Sequence, residues 1–193
     1  RAFTLRFVPA REDLATPESW SSPKSTRGAI EDMPEGCIAV VDSMGVQDAG
    51  IFGDILCARM AKKKVAALVT DGVVRDLAGV LGTGLPVWCS GAAAPPSVAG
   101  LTFVDWQQPI GCGGVAVFPG DVVVVDDDGA VHFPQAGEHV FAVPGEFDVG
   151  EGFALLRLQF GQCDAQLGQV QACHFFVEVL GQHIDFVLVF ARV

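Results

Sequence analysis

The stretch DILCARMAKKKVAALVTDGVVRDLAGVLGTGLPVWC, residues 54–89, decides the fold class of this chain. Its first part predicts a helix over 54–64, because an aspartate stands at its start, apolar residues recur at helical spacing and three lysines occupy its last turn. The uncharged run 65–70 predicts a buried strand. A short helix over 75–81 and a further buried strand over 85–89 complete the pattern.

Two more strands are predicted on the N-terminal side of this stretch. Residues 37–42 form a short apolar run, and residues 2–8 alternate between apolar and other side chains with a period of two. Residues 15–35 are rich in Ser, Pro and Thr and are predicted to form a loop. Continuous apolar strands linked by helices are typical of a parallel sheet that is covered on both faces.

The character of the chain changes after this α/β half. Short strands are predicted over 101–105, 109–118, 121–125 and 130–133, separated by turn residues. We therefore predict an α/β fold in which a parallel βαβαβ half precedes a β-rich half. This domain covers residues 1–134.

Residues 135–193 form an atypical C-terminal extension of uncertain structure. They hold 8 of the 14 Phe residues and no Lys, and their helical periodicity is poor. Two interpretations stay open, a tail read in a shifted frame and a divergent strand-rich extension. An intact-mass measurement that matches the sequence, together with a confirmed gene frame, would exclude the first.

The composition excludes several classes of protein. Half of the residues are hydrophobic and 18% are charged, which excludes disorder for most of the chain. The net charge of −11 argues against nucleic-acid partners and anionic membranes. The longest uncharged stretch, 77–104, contains prolines and glycines that a membrane-spanning helix would not carry at this density. Six cysteines without a CxxC pair predict buried thiols in a reducing cytoplasm.

The start of the helix at Asp54 is a candidate anion site. The backbone amides of Ile55, Leu56 and Cys57 are expected to be free there, next to Gly53. Helix N-termini of this kind bind carboxylates and phosphates.

Arg75 and Asp76 follow the buried strand 65–70, and ligands of α/β sheets bind outside the carboxyl ends of strands. Arginine binds a carboxylate or an oxyanion with two hydrogen bonds, and aspartate binds a hard divalent cation. These residue types together suit a small carboxylate plus Mg²⁺. Spacing alone leaves the alternative open, in which Asp54 and Asp76 only cap helices and Arg75 is a surface partner.

Residues 50–134 resemble the RraA-like family, which contains the class II pyruvate aldolases that act on 4-hydroxy-4-methyl-2-oxoglutarate. Residues 3–14 resemble one branch of the same family. The motifs that carry the resemblance are Gly53-Asp54, Thr70-Asp71-Gly72, Arg75-Asp76, Leu85-Pro86-Val87, the stretch 109–115, Pro119-Gly120-Asp121 and Asp128-Gly129.

The resemblance implies a swivelling β/β/α fold and a homotrimer, sometimes doubled to a hexamer, with the site at the subunit interface. It implies that Asp76 holds Mg²⁺ or Mn²⁺ through waters and that Asp54 supports that water network. Arg75 is implied to contact the 2-oxo acid and to stabilise its enolate, while amides at the helix start bind the carboxylate. The expected function is a lyase that releases pyruvate from a 4-hydroxy-2-oxo acid or from oxaloacetate.

The same family offers an alternative function and a misleading label. Some members bind ribonuclease E and inhibit it without catalysis, and in that branch the Asp after the Arg is commonly lost, whereas Asp76 is present here. Others are labelled demethylmenaquinone methyltransferases, but no glycine-rich S-adenosylmethionine loop follows the first strand here. Family members also carry a longer N-terminal segment, so we expect Arg1 not to be the native start.

Overall fold

The computed structural model of the chain describes residues 1–11, 13–14, 19, 21–126 and 129–133, and the backbones of four later strands. The helices and strands, in chain order, are β1 (Ala2–Pro9), α1 (Thr26–Asp32), β2 (Ile38–Asp42), α2 (Asp54–Lys62), β3 (Ala67–Thr70), α3 (Leu77–Gly82), β4 (Val87–Cys89), β5 (Leu101–Trp106), β6 (Val122–Val125), β7 (Ala130–Phe133), β8 (Arg157–Phe160), β9 (His174–Val179), β10 (Gln182–Val187) and β11 (Ala191–Arg192).

The central sheet has six strands in the order β11-β4-β3-β2-β1-β5. Strands β1 to β4 are parallel to one another, whereas β5 pairs antiparallel with β1 at one edge and β11 pairs antiparallel with β4 at the other. Each crossover from β1 to β4 advances by one strand in the same direction. The buried side chains of all three helices join one core, so the helices cover the same face of the sheet, as the preference for right-handed crossovers leads one to expect. The predicted α/β fold, with its parallel βαβαβ half, is confirmed.

The side chains of β2 alternate between two cores. Ala39 and Val41 join the larger core, which the helices cover with Ile30, Met60 and Val80. Ile38 and Val40 join a smaller core on the opposite face, beneath the β6–β7 hairpin. Both faces of the sheet are therefore buried, one by helices and the other by β structure, and this explains why β2, β3 and β4 lack the polar alternation of an exposed sheet.

The prediction of a loop over residues 15–35 is wrong for α1. The Ser25 side chain accepts a hydrogen bond from the Gly28 amide at 3.2 Å and so caps the helix. Ala29 and Ile30 are fully buried against the sheet. A seven-residue helix that contains a glycine has little intrinsic stability, so burial of its apolar face decides its formation. The local sequence carries only a weak signal of this.

The predicted strand over 109–118 is also wrong. This segment contains a short 3-10 turn at Cys112–Gly114, and only an isolated antiparallel bridge joins Ile110 and Val117. Gly113 has a φ of 60°, which bends the backbone out of an extended path. The predicted β6–β7 hairpin is confirmed, with Val122 to Val125 paired antiparallel to β7.

Most of the C-terminal extension lies outside the described residues. The backbones of β8, β9 and β10 form an antiparallel sheet. Residues 191–192 add to the edge of the central sheet beside β4. Each helix of the described residues is too short or too polar to span a lipid bilayer.

Candidate functional site

A cleft of about 510 Å³ opens beside the start of α2. One wall carries all but one of the residues expected at the site, and these are Gly53, Asp54, Ile55, Leu56, Arg75 and Asp76. The opposite wall comes from the start of β5 and from residues before and within α1, which are Leu14, Ser19, Ser22, Lys24, Ser25, Thr26 and Arg27. The fold therefore brings most of the sequence-predicted residues to one cavity.

Arg75 reaches the cleft because the chain after β3 runs beside the segment that precedes α2. The Arg75 amide donates to the Phe52 carbonyl at 2.9 Å, and the Ile51 amide donates to the Val73 carbonyl at 2.9 Å. These two bonds fix the backbone on both sides of the site. The arginine side chain is 38% exposed, so its guanidinium borders solvent in the cleft.

Asp76 has a left-handed backbone conformation, with a φ of 53°. Aspartate tolerates this region better than most residues. Its Oδ2 accepts a hydrogen bond from Arg75 Nε at 2.8 Å, and its side chain is 46% exposed. Asp76 immediately precedes α3, which begins at residue 77 and not at the predicted residue 75. The Asp76 carboxylate makes no capping hydrogen bond to that helix, and it accepts one from the Arg75 side chain instead.

The start of α2 differs from the prediction in its amides. Gly53 is the cap residue, and Asp54 is the first residue of the helix. The Ile55 amide donates to Asp54 Oδ1 at 2.7 Å, and the Cys57 amide donates to the Gly53 carbonyl at 3.0 Å. Of the three amides expected to be free, only that of Leu56 has no partner among the described residues.

Cys57 does not reach the cleft. Its side chain is fully buried in the core beneath α2. Burial, with smaller contributions from Asp54 and Cys89, raises the pKa of the Cys57 thiol to about 12. A thiol of this kind stays protonated at neutral pH, so it packs as a small apolar side chain and is not a nucleophile.

Gly53 lets the start of α2 lie close to the side chains of Arg75 and Asp76. A Cβ atom at this position would lie 2.8 Å from Asp76 Oδ2 and 3.1 Å from Arg75 Cγ. Any side chain at residue 53 would therefore displace the Arg75–Asp76 pair. This contact accounts for a glycine before Asp54 better than backbone conformation does, since its φ of −115° is open to all residues.

A neighbouring carboxylate, that of Asp71, holds loops together. It accepts hydrogen bonds from the backbone and side chain of Ser43 and from the amides of Gly45 and Gly113, at 2.7 to 3.3 Å. Its lone pairs are thus used by the protein itself. Asp71 fixes the strand end from which the chain continues to Arg75.

The donor set of the cleft suits a hard cation with much water in its coordination shell. No three His, Cys, Asp or Glu side chains converge as a metal cluster among the described residues. Mg²⁺ commonly binds proteins through one or two carboxylates and keeps several waters. Asp76, with Asp54 on the same wall, matches that requirement in residue type and in access to solvent.

Sequence reasoning missed the opposite wall of the cleft. It is formed by Leu14, Val98, Leu101, Thr102 and Phe103, with polar residues between 19 and 27. This wall depends on the antiparallel pairing of β1 with β5, which joins residues about a hundred positions apart. No local pattern in the sequence signals that pairing.

A family model described as Aldolase/RraA, of the RraA-like type, matches residues 1–132. The chain belongs to the RraA-like family. One relative, the inferred 4-hydroxy-4-methyl-2-oxoglutarate aldolase of Halalkalibacterium halodurans, is 31% identical over 111 residues, which are 57% of this chain and 52% of that protein. Another is the protein DlpA of Legionella pneumophila, 27% identical over 134 residues, which are 69% of this chain and 21% of DlpA. The chain thus spans about half or less of these curated relatives.

A solved RraA-like structure confirms the fold. RraAS2 of Streptomyces coelicolor, described as an unusual member of the RNase ES inhibitor RraA protein family, superposes with a TM-score of 0.61 and 36% sequence identity. The match covers 69% of this chain and 63% of RraAS2. The predicted RraA-like resemblance is confirmed by the family model and by this structure.

Proposed function

We propose that this RraA-like protein is a divalent-metal-dependent carbon–carbon lyase that releases pyruvate from a 4-hydroxy-2-oxo acid or from oxaloacetate. The observation that carries the proposal is the meeting of Arg75, Asp76, Asp54 and the unpartnered Leu56 amide in one cleft. The names of several relatives point in the same direction, since they describe aldolases for 4-hydroxy-4-methyl-2-oxoglutarate.

Arg75 has the central role in this mechanism. Cleavage of the C3–C4 bond of the substrate leaves its electron pair on the pyruvyl fragment, whose 2-oxo oxygen becomes the enolate oxygen. The C4 hydroxyl loses its proton as the carbonyl of the other product forms. A guanidinium beside the 2-oxo oxygen stabilises this charge as it develops, which lowers the barrier. The enolate then takes a proton at C3 and becomes pyruvate.

The start of α2 binds the other end of the pyruvyl group. The Leu56 amide has no partner among the described residues and lies at the positive end of the helix dipole. A carboxylate there satisfies the amide and sits beside Arg75. Binding at both points orients the bond that breaks.

Asp76 would hold Mg²⁺ or Mn²⁺, with Asp54 on the same wall supporting its water ligands. The cation would supply positive charge next to the 2-oxo acid, where the enolate develops. Asp76 already pairs with Arg75, so the carboxylate also aligns the guanidinium. Asp54 is held by its bond to the Ile55 amide, and we assign it to orient the water that accepts the C4 hydroxyl proton.

The test is pyruvate release from oxaloacetate and from 4-hydroxy-4-methyl-2-oxoglutarate, measured with Mg²⁺ and again with EDTA. We expect release that EDTA abolishes and that added Mg²⁺ restores. A folded protein that releases no pyruvate from either compound would contradict the proposal. Release that EDTA leaves unchanged would contradict its metal dependence.

A second candidate function is a regulator that binds an RNA-degradation enzyme such as ribonuclease E and inhibits it. It is favoured by the 36% identity to RraAS2, which is described as belonging to a family of RNase ES inhibitors. The net charge of −11 suits a basic partner surface. A pulldown with ribonuclease E that is lost at high salt would support this function. No retention at low salt would contradict it.

We also propose that the protein assembles as a homotrimer, or as a hexamer of two trimers. Ile55, at the edge of the cleft, is 79% exposed, which is unusual for a large apolar side chain on a helix. A neighbouring subunit would cover it and close the cleft. Light scattering after size exclusion gives the mass directly, and a monomer would contradict this proposal.

A further inference from the structure

The side chain of Asp54 packs directly on Gly79 of α3. A Cβ atom built on Gly79 would lie 2.7 Å from Asp54 Cβ, 3.0 Å from its Oδ2 and 3.2 Å from its Cγ. Apart from the backbone of its own helix and its chain neighbours, these are the three nearest heavy atoms, and all belong to Asp54. The closest is the first carbon of the side chain and not a flexible end. A side chain at residue 79 would therefore displace the Asp54 Cβ atom away from α3.

Backbone conformation does not require a glycine at this position. Gly79 lies inside α3 and is absent from the glycines with a positive φ. Glycine lowers the stability of a helix interior relative to alanine. Its presence therefore has a different physical explanation, which is the space that the Asp54 side chain occupies.

We propose that Gly79 is a positioning residue that sets where the Asp54 carboxylate stands in the cleft. It lets the start of α2 lie directly against α3, while the Ile55 amide donates a hydrogen bond to Asp54 Oδ1 at 2.7 Å. The Asp54 carboxylate is thus held by α3 on the same wall that bears Arg75 and Asp76. This inference deepens the proposed lyase function and rests on it for its kinetic consequences, but not for its geometry.

Gly82 provides a matched control about one helical turn away. It lies in the same helix, and a Cβ there would meet no heavy atom within 4 Å. Gly79→Ala and Gly82→Ala make the same chemical change in the same element. They differ in whether the new methyl group meets Asp54.

The first readout is crystallographic and needs no activity. We expect the Asp54 carboxylate to shift relative to Arg75 in Gly79→Ala and to keep its place in Gly82→Ala. The same place for Asp54 in both variants would overturn the inference, whatever the protein catalyses. Should Gly79→Ala fail to fold, we expect Asp54→Gly to restore folding in the double variant, since it removes all three atoms that the methyl group would meet. Failure of that rescue would also overturn it.

The second readout is kinetic. A displacement of about 1 Å in a reacting group can cost about 10²-fold in rate, so we expect kcat for pyruvate release to fall by about that factor in Gly79→Ala. KM for the oxo acid should change little, because Arg75 and the Leu56 amide are untouched. Gly82→Ala should keep the parent kcat. In an Asp54→Gly background, Gly79→Ala should cause no further loss of kcat.

The outcomes separate the two claims. If the parent protein releases no pyruvate, the proposed function fails, and the crystallographic comparison alone decides the role of Gly79. If the parent is active and Gly79→Ala moves Asp54 without lowering kcat, the inferred role in positioning for catalysis is overturned. If Gly79→Ala lowers kcat equally in the parent and in Asp54→Gly, its effect does not pass through Asp54 and the inference is wrong.

Discussion

Arg75 and Arg59 form a natural pair for separating chemistry from stability. Both arginines are paired with a carboxylate, and their side chains are 38% and 43% exposed. Arg75 lines the cleft, whereas Arg59 bonds to Glu31 on the surface, away from it. The two arginines therefore have similar solvent exposure and the same kind of ion pair, and they differ in whether they line the cleft.

We expect Arg75→Ala to lower kcat for pyruvate release by about 10²- to 10³-fold, the usual cost of losing one donor to a developing oxyanion. Arg59→Ala should retain parent activity. Both variants should lose little stability, since exposed ion pairs contribute little. Steady-state kinetics and thermal melting on the two variants check this. Equal activity of both would reject the assignment of Arg75.

The buried thiol of Cys57 predicts a loss of stability in alkali. Its folded pKa is raised from 9.0 to about 12, so the folded protein keeps a proton that the unfolded chain loses. The contribution is complete below pH 9 and is lost as pH rises through about 12, which corresponds to roughly 4 kcal/mol in total. The chain has no tyrosine, so no phenol titrates in this range.

The comparison is the free energy of unfolding of the parent and of Cys57→Ala, measured with urea at intervals from pH 8 to pH 11. We expect the alanine variant to be less stable at pH 8 and to lose less stability than the parent on going to pH 11. Parallel curves would show that the Cys57 thiol does not contribute to the pH dependence.

At the scale of single elements, helix α2 shows both what the sequence indicates and what it omits. The helix, the strand after it and the Asp54, Arg75 and Asp76 positions follow from periodicity and turn residues. The hydrogen bonds at the helix start do not follow from these patterns. The Asp54 side chain accepts a hydrogen bond from the Ile55 amide as the first residue of the helix, and Gly53, not Asp54, is the cap residue. Such a local choice depends on geometry that residue types alone do not specify.

Helix α1 gives a prediction on stability. Ser25 caps it through the Gly28 amide, whereas Ser22 accepts from the Lys24 amide in the loop before it. Ser25→Ala should destabilise the protein by about 1 kcal/mol, the typical cost of losing a helix cap. Ser22→Ala is the control and should cost less, since no helix depends on it. Urea unfolding gives the free energy of unfolding of both variants. Equal losses of stability would contradict the capping role of Ser25.

At the scale of the whole molecule, the parallel half was predictable because its strands are continuous apolar runs joined by short helical segments. The opposite wall of the cleft was not, because it depends on β5 returning beside β1. The turn at Cys112–Gly114 was also missed. The apolar residues Ile110 and Val117 on either side of it fit the predicted strand over 109–118, but in the structure they form only an isolated bridge. Local patterns thus predicted the half that bears Arg75 and Asp76, and long-range pairing supplied the cavity.

The central claim is that Asp76 and a divalent cation serve one lyase site. The substitution Asp76→Asn tests this claim without straining the backbone, because asparagine visits the left-handed conformation of residue 76 as aspartate does. It removes the negative charge that would hold the cation and keeps the size of the side chain. A loss of activity in this variant therefore reports on the site and not on the fold.

The decisive measurement is pyruvate release from oxaloacetate as a function of Mg²⁺ concentration, for the parent and for Asp76→Asn. We predict that the parent releases pyruvate with a saturable dependence on Mg²⁺ and none in EDTA. Asp76→Asn should stay folded and fall to background at the same Mg²⁺ concentrations. Pyruvate release by Asp76→Asn with the parent's Mg²⁺ dependence would contradict the account.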